Sequence, residues 1–215
     1  EYALEEGLKV KDALGARLTV VTMGPPQAAV ILREAIARGA DDGVLVSSRA
    51  FGGADTLATS YTISMAIRKI CDGKTPDLVL FGKQAIDNDA GQIAPMVSAM
   101  LDMPVAINVS AIELDGTRLT VVRETDTGLM RVAADLPAVL SADLRLAEPR
   151  YVTLPNMMKA KKKPVATIAV EELGCDIARR NTRLEVVEPP ARAAGTKLES
   201  VDALLDVLKN KAKVL

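Results

Sequence analysis

The chain has 215 residues, 49% of them apolar, and its 27 basic residues nearly balance 28 acidic ones. That length suits one domain with a sizeable core and an appendage, and the balance argues against a general nucleic-acid binder. Two Phe, three Tyr and no Trp leave little for base stacking, and the absence of His removes the usual near-neutral proton shuttle and the commonest metal ligand.

Residues 1–14 place Ala3, Leu4, Leu8 and Leu14 along one helical face, and Gly15 ends that helix. Residues 18–23 read as a strand, stopped by Gly24, Pro25 and Pro26. A helix over 27–38 turns Val30, Ile31, Ala35 and Ile36 inward and closes at Gly39. A strand at 43–46, a helix at 55–70 and an apolar strand at 77–81 follow. Such alternation predicts an α/β fold with a mostly parallel sheet and right-handed crossovers. After the helix that starts near Gln92 the pattern changes. Extended runs at 106–114 and 118–123, with turns at Asp115-Gly116 and 125–128, predict an antiparallel hairpin insertion, and 138–141 rejoins the main sheet. From Asp143 a long irregular loop is expected, then a strand at 165–170, an extended arm over 188–199 and a final helix capped by Ser200. The expected division is a nucleotide-binding domain over 1–187 and a C-terminal arm and helix over 188–215 that pack on another subunit. Cys71 and Cys175 are far apart, form no CxxC and read as buried bystander thiols. No apolar run reaches membrane-spanning length and no signal peptide is visible, so a cytoplasmic protein is expected.

Four stretches carry candidate chemistry. The first, 77–95 (DLVLFGKQAIDNDAGQIAP), runs from a strand through an abrupt polar loop into a helix that Asp89 is placed to cap. Free helix N–H groups beside a strand end form a ready phosphate site, although an ordinary loop with a good N-cap reads the same way. Met23-Gly24-Pro25 follows the first strand, as a turn or as the floor of the same pocket. At 54–60 (ADTLATS), behind Gly52 and Gly53, the default is a flexible loop and an N-cap, but Thr56 and Thr59 share a helical face. At 154–163 (LPNMMKAKKK) the lysines suit a solvated face or a phosphate-attracting patch, while Leu154, Met157 and Met158 set among charge suit a docking surface. No GxGxxG, GxxxxGK[ST] or GxSxG motif is present.

GKQAID followed by an acidic pair and a Gln resembles the signature loop of electron transfer flavoprotein beta subunits. Residues 142–164 (ADLRLAEPRYVTLPNMMKAKKKP) resemble a second signature of that family, and the likeness spans essentially the whole chain. The resemblance implies a doubly wound sheet of the adenine nucleotide alpha hydrolase type. It implies an adenine nucleotide pocket lined by Gly82, Lys83, Gln84, Ala85, Ile86, Asp87, Asn88, Asp89, Gly91, Gln92 and Ile93, with Met23 and Gly24 at its base. ADTLATS resembles the flavin-bifurcating members, which implies FAD beside Asp55, Thr56, Ala58 and Thr59; AMP is the alternative occupant. Leu154, Pro155, Met157, Met158 and Lys159 are implied as the partner recognition segment, with Leu154 entering an acyl-CoA dehydrogenase. The implied protein is a heterodimer with a flavin-bearing alpha subunit. It takes electrons from NADH and divides them between the dehydrogenase and a low-potential acceptor such as ferredoxin or flavodoxin. The alternative is a non-bifurcating subunit with structural AMP. No catalytic side chain, metal, nucleic acid or membrane insertion is implied, and an earlier strand and loop are expected ahead of Glu1. A third reading is an ATP-hydrolysing or adenylating enzyme on a related sheet, but the glycine-serine pyrophosphate loop of such enzymes is not seen.

Overall fold

The computed structural model describes residues 1–174, 177, 180, 182 and 184–215. Two compact units emerge, Glu1–Asn181 and Thr182–Leu215.

The larger unit alternates α1 (Tyr2–Leu14), β1 (Thr19–Met23), α2 (Ala29–Arg38), β2 (Asp42–Ser47), α3 (Thr56–Ile70), β3 (Leu78–Gly82) and α4 (Ile93–Leu101). The meander β4 (Val105–Asp115), β5 (Arg118–Thr125) and β6 (Gly128–Asp135) comes next, then β7 (Ala138–Ala142), α5 (Leu154–Lys162) and β8 (Ala166–Ala169). The strands fall into two hydrogen-bonded sheets rather than one. Their orders are β1-β2-β8, all parallel, and β3-β7-β4-β5-β6, parallel across the first three and antiparallel through the meander.

Each sheet has a buried central strand. In β7 every residue is buried. Ala138, Leu140 and Ala142 join the core beneath α1, and Val139, on the alternate face, packs with Ala94 of α4. Burial on both faces explains why Ala138-Val139-Leu140 reads as a continuous apolar run. In the other sheet, Val44 and Val46 of β2 pack with Ala66 of α3. Helix α1 reaches both sheets at Gly7, where a Cβ would sit 2.9 Å from a Leu18 methyl and 3.4 Å from a Leu80 methyl.

Several expectations are corrected. Val30 and Ile31 point to solvent, and the inward face of α2 is Leu32, Ala35 and Ile36. An apolar run of three residues left the helical phase ambiguous, and packing resolves it one residue later. The helix is preceded by a 3-10 turn, Pro26–Ala28. Leu14, in the last turn of α1, is exposed, whereas Glu5 and Glu6 are buried. Residues 154–163 do not extend the irregular loop, since nearly all of them form α5. Thr153 accepts a hydrogen bond from the Asn156 amide, Pro155 occupies the first turn, and Lys159, Lys161 and Lys162 stand near the negative end of the helix. Ala160 anchors α5 against Ile36 and Ala37 of α2.

In the smaller unit, Ser200 accepts a hydrogen bond from the Ala203 amide and caps α6 (Val201–Asp206), which continues as a π-helical stretch, Val207–Ala212. Residues 184–198 form no regular element. Cys175 lies outside the described residues. Cys71 is half-buried at the end of α3, where burial, and then the Asp72 charge, push its thiol up. A raised thiol is a poor nucleophile, consistent with a bystander. Among the described residues no helix is long and apolar enough to cross a membrane.

Candidate functional site

The carboxyl ends of β1, β2 and β3 come together through two helices that run side by side. Asp55 caps α3 by accepting a hydrogen bond from the Ala58 amide at 2.8 Å. At the next residue, the Thr56 hydroxyl donates to the Gln92 side-chain oxygen, Oε1, at 2.8 Å, joining the start of α3 to the start of α4. Towards the other ends, Ser64 contacts Met100 sulfur at 3.5 Å and the Arg68 guanidinium donates to the Met100 carbonyl at 2.6 Å. Because α3 follows β2 and α4 follows β3, this pairing brings together the loops after one strand from each sheet. Gly24 donates its amide to the Val46 carbonyl at 3.0 Å, which sets the end of β1, with Met23, beside the end of β2.

The loop 83–92 is held mainly by its own polar groups. Gln84 donates to Asp89 Oδ1 at 2.7 Å, the Asp89 amide donates to the Ala85 carbonyl at 2.9 Å, and the Ala90 amide donates to Asn88 Oδ1 at 3.1 Å. Asp89 and Gly91 both adopt the left-handed conformation, with φ of 53° and 58°. Asp tolerates it and Gly adopts it freely, so the chain turns sharply into α4. Asp89 does not cap that helix: Gln92 occupies the cap position and makes no side-chain cap bond. The first amides of α4 are therefore left for another partner, except at Pro95, which has no N–H. Residues 84–90, Ile86 and Asp87 included, are exposed. The site is open, a shelf rather than a cleft.

Two further expected residues behave differently from the sequence reading. Ala58 is only 7% exposed, so its small size serves helix packing and leaves little space at its own surface. The Lys83 ammonium is committed to Asp143 at 2.8 Å. Thr59 is half-buried, and its amide closes the first turn of α3 on the Asp55 carbonyl at 3.0 Å.

The segment expected to recognise a partner stands elsewhere, on α5. Leu154 is 70% exposed and Met157 and Met158 are about half exposed, while Ala160 on the opposite side is buried. Sequence reasoning missed what fixes the segment leading into this helix. Arg150 reaches Glu5 of α1 through its Nε at 3.0 Å and through its amide at 3.0 Å, and reaches Asp12 at 3.0 Å. Nothing in the sequence pointed to it: Glu5 lies off the apolar face read for α1, and its partner lies 145 residues away. A cavity of about 790 Å³ lies between α1, α2, α5 and the segment 148–152, and a smaller one of about 330 Å³ is lined by Lys83, Asn108 and residues 123–126. Of the expected site residues, the first cavity reaches only Met157 and the second only Lys83.

Burial pushes the Glu5 and Asp143 carboxyls up, but the hydrogen bonds and charge of Arg150 and Lys83 outweigh it and hold both below their usual values. A carboxylate with a lowered folded pKa stabilises the protein fully above its unfolded value, about 4, and that contribution is lost as pH falls through the folded value. Denaturant midpoints should therefore fall between pH 5 and pH 3 (roughly the window these values set). In Glu5→Gln the pH 7 midpoint should be lower and the acid slope shallower. An unchanged slope would remove Glu5 from the acid limb.

The sequence model described as "Electron transfer flavoprotein domain" matches residues 1–173. The mitochondrial electron transfer flavoprotein subunit beta of Arabidopsis thaliana is 43% identical over 218 aligned positions, covering 100% of this chain and 84% of that protein. The beta subunits of Bradyrhizobium diazoefficiens and Homo sapiens are 42% and 40% identical, each with the same coverage of 100% and 84%. Matches of this strength across the whole chain show that it belongs to the family of electron transfer flavoprotein beta subunits.

Proposed function

We propose that this chain is the nucleotide-holding and docking subunit of a two-subunit electron transfer flavoprotein, with AMP on the shelf at residues 82–93. The observation that carries this reading is the Thr56–Gln92 hydrogen bond. It fixes the start of α4, whose first amides no side chain caps, against the start of α3 at the carboxyl ends of parallel strands, where open α/β sheets hold phosphate groups. A phosphate fits there because no side chain already caps those amides and because Asp89 is turned back onto Gln84. The backbone around Gly82 to Asn88 is left for adenine and ribose. The redox chemistry comes from flavin bound in the complex. The chain's own contribution is to hold the nucleotide, to meet the alpha subunit, and to present Leu154, Pro155, Met157, Met158 and Lys159 to dehydrogenases. The openness of the shelf supports a site completed by further protein. The exposed Val201, Leu204 and Leu205 of α6 support a covering by the alpha subunit.

A second reading places FAD in the pocket, with NADH as donor and electrons bifurcated to a dehydrogenase and a ferredoxin-like or flavodoxin-like acceptor. Thr59, half-buried at the start of α3, favours it by offering a hydroxyl near the shelf. The geometry favours AMP, because Ala58 is packed away and the Thr56 hydroxyl is already engaged by Gln92.

Gln92→Ala should weaken nucleotide retention by about 1–3 kcal/mol, the cost of removing one partner from a polar contact, and Thr56→Val should do the same at the lower end. Titration of AMP into nucleotide-stripped protein measures both. Unchanged affinity in both variants would remove the α3–α4 junction from the site. Two flavins per complex would establish the second reading in place of the first.

A further inference from the structure

Strands β3 and β7 are parallel neighbours whose last paired residues are Gly82 and Ala142. The next residues, Lys83 and Asp143, leave the sheet side by side. Lys83 leads into the loop 84–92, and Asp143 leads through residues 144–153 to α5. Their side chains meet at 2.8 Å, and the Asp143 side chain is only 4% exposed. The second Asp143 oxygen accepts from the Arg145 amide at 3.1 Å and from its Nε at 3.3 Å. Arg145 in turn pairs with Glu124 on β5. The Asp143 amide donates to the Val109 carbonyl at 2.8 Å, and its carbonyl accepts from Leu146, which is buried in the core beneath α1.

Resting on the nucleotide-site reading above, we propose that Asp143 is a positioning residue that ties the nucleotide loop to the segment carrying the docking helix, so that nucleotide binding at residues 83–92 orders residues 144–153. The buried Asp143 carboxylate is held by Lys83 on one oxygen and by Arg145 on the other, so it cannot follow a displaced Lys83 without disturbing Arg145. A packed polar junction shared by the two segments is the kind of contiguous contact through which two sites bias one another. The linkage is reciprocal: docking on α5 tightens nucleotide binding by the same factor.

An ordinary structural ion pair at the end of a sheet predicts lost stability in the variants but an unchanged response to nucleotide. Amide hydrogen exchange in the full-length protein, in its complex and with or without saturating AMP, separates the two. In the parent, AMP should slow exchange across 84–92 and, by about threefold or more, across 144–153. In Asp143→Asn the protection at 84–92 should persist at saturation while that at 144–153 is lost, and Asp143→Glu should restore it. Arg145, whose side chain is 69% exposed, provides the test if Asp143→Asn fails to fold: Arg145→Gln removes the Nε bond to the second Asp143 oxygen and should likewise leave 84–92 protected and 144–153 unprotected. Protection at 144–153 that survives in the variants, or that is missing in the parent while 84–92 is protected, overturns the coupling alone. A parent with no AMP-dependent protection at 84–92 overturns the nucleotide-site reading and the coupling with it.

Discussion

Arg150→Ala should destabilise the protein by about 3 kcal/mol, within the range for breaking a buried ion pair from one side. The substitution leaves the Glu5 carboxylate, with its side chain 6% exposed, inside the α1 face of the core without the guanidinium that neutralises it. Arg150 is about one-third exposed, so the loss of its own interactions contributes little, and most of the cost is the stranded Glu5 charge. The double variant Glu5→Gln with Arg150→Met should recover part of the loss, because removing both charges is milder than removing one. Chemical denaturation at pH 7 measures both. A double variant less stable than Arg150→Ala would contradict this account and assign the cost to lost packing.

Leu154→Ala should slow electron transfer to a dehydrogenase partner by roughly 30-fold, equivalent to about 2 kcal/mol for an apolar anchor at the centre of an interface. Nucleotide content and denaturant midpoint should stay at parental values. Leu154 projects from the first turn of α5, away from the Ala160 side that binds α2, so truncation removes no internal contact of the core. Lys159, Lys161 and Lys162 should set the salt dependence of association rather than its strength. Parallel loss of transfer and nucleotide would indicate a folding defect, and parental transfer rates would remove the anchor role.

The alternation of strands and helices was legible because β2, β3 and β7 are short apolar runs bounded by Gly, Pro or Asp, and the meander was legible from Asp115-Gly116. The shelf was legible as a loop, and its residues are now grouped by one bond between Thr56 and Gln92, 36 residues apart. What the sequence did not disclose was of two kinds. Helical phase within Val30-Ile31-Leu32 depends on which side packs, and three adjacent apolar residues fit either choice. Long-range polar pairs, Arg150 with Glu5 and Lys83 with Asp143, have no periodic signature at all. Asp89 misled because it is a good capping residue placed near a helix start, but the turn at Gly91 separates it from the helix, and Gln84 claims its carboxylate. The α5 helix was within reach: Thr153, Pro155 and the terminal lysines are ordinary start and stop signals, obscured by reading the segment as a docking loop.

The central claim is that residues 82–93 hold AMP, and the nucleotide content of the purified full-length complex tests it most directly. Released nucleotides, separated and quantified for the parent and for Gln92→Ala, should show one AMP for each copy of this chain in the parent, and its loss on washing in the variant. A complex without bound AMP, or one whose AMP is retained equally by Gln92→Ala, would contradict the account.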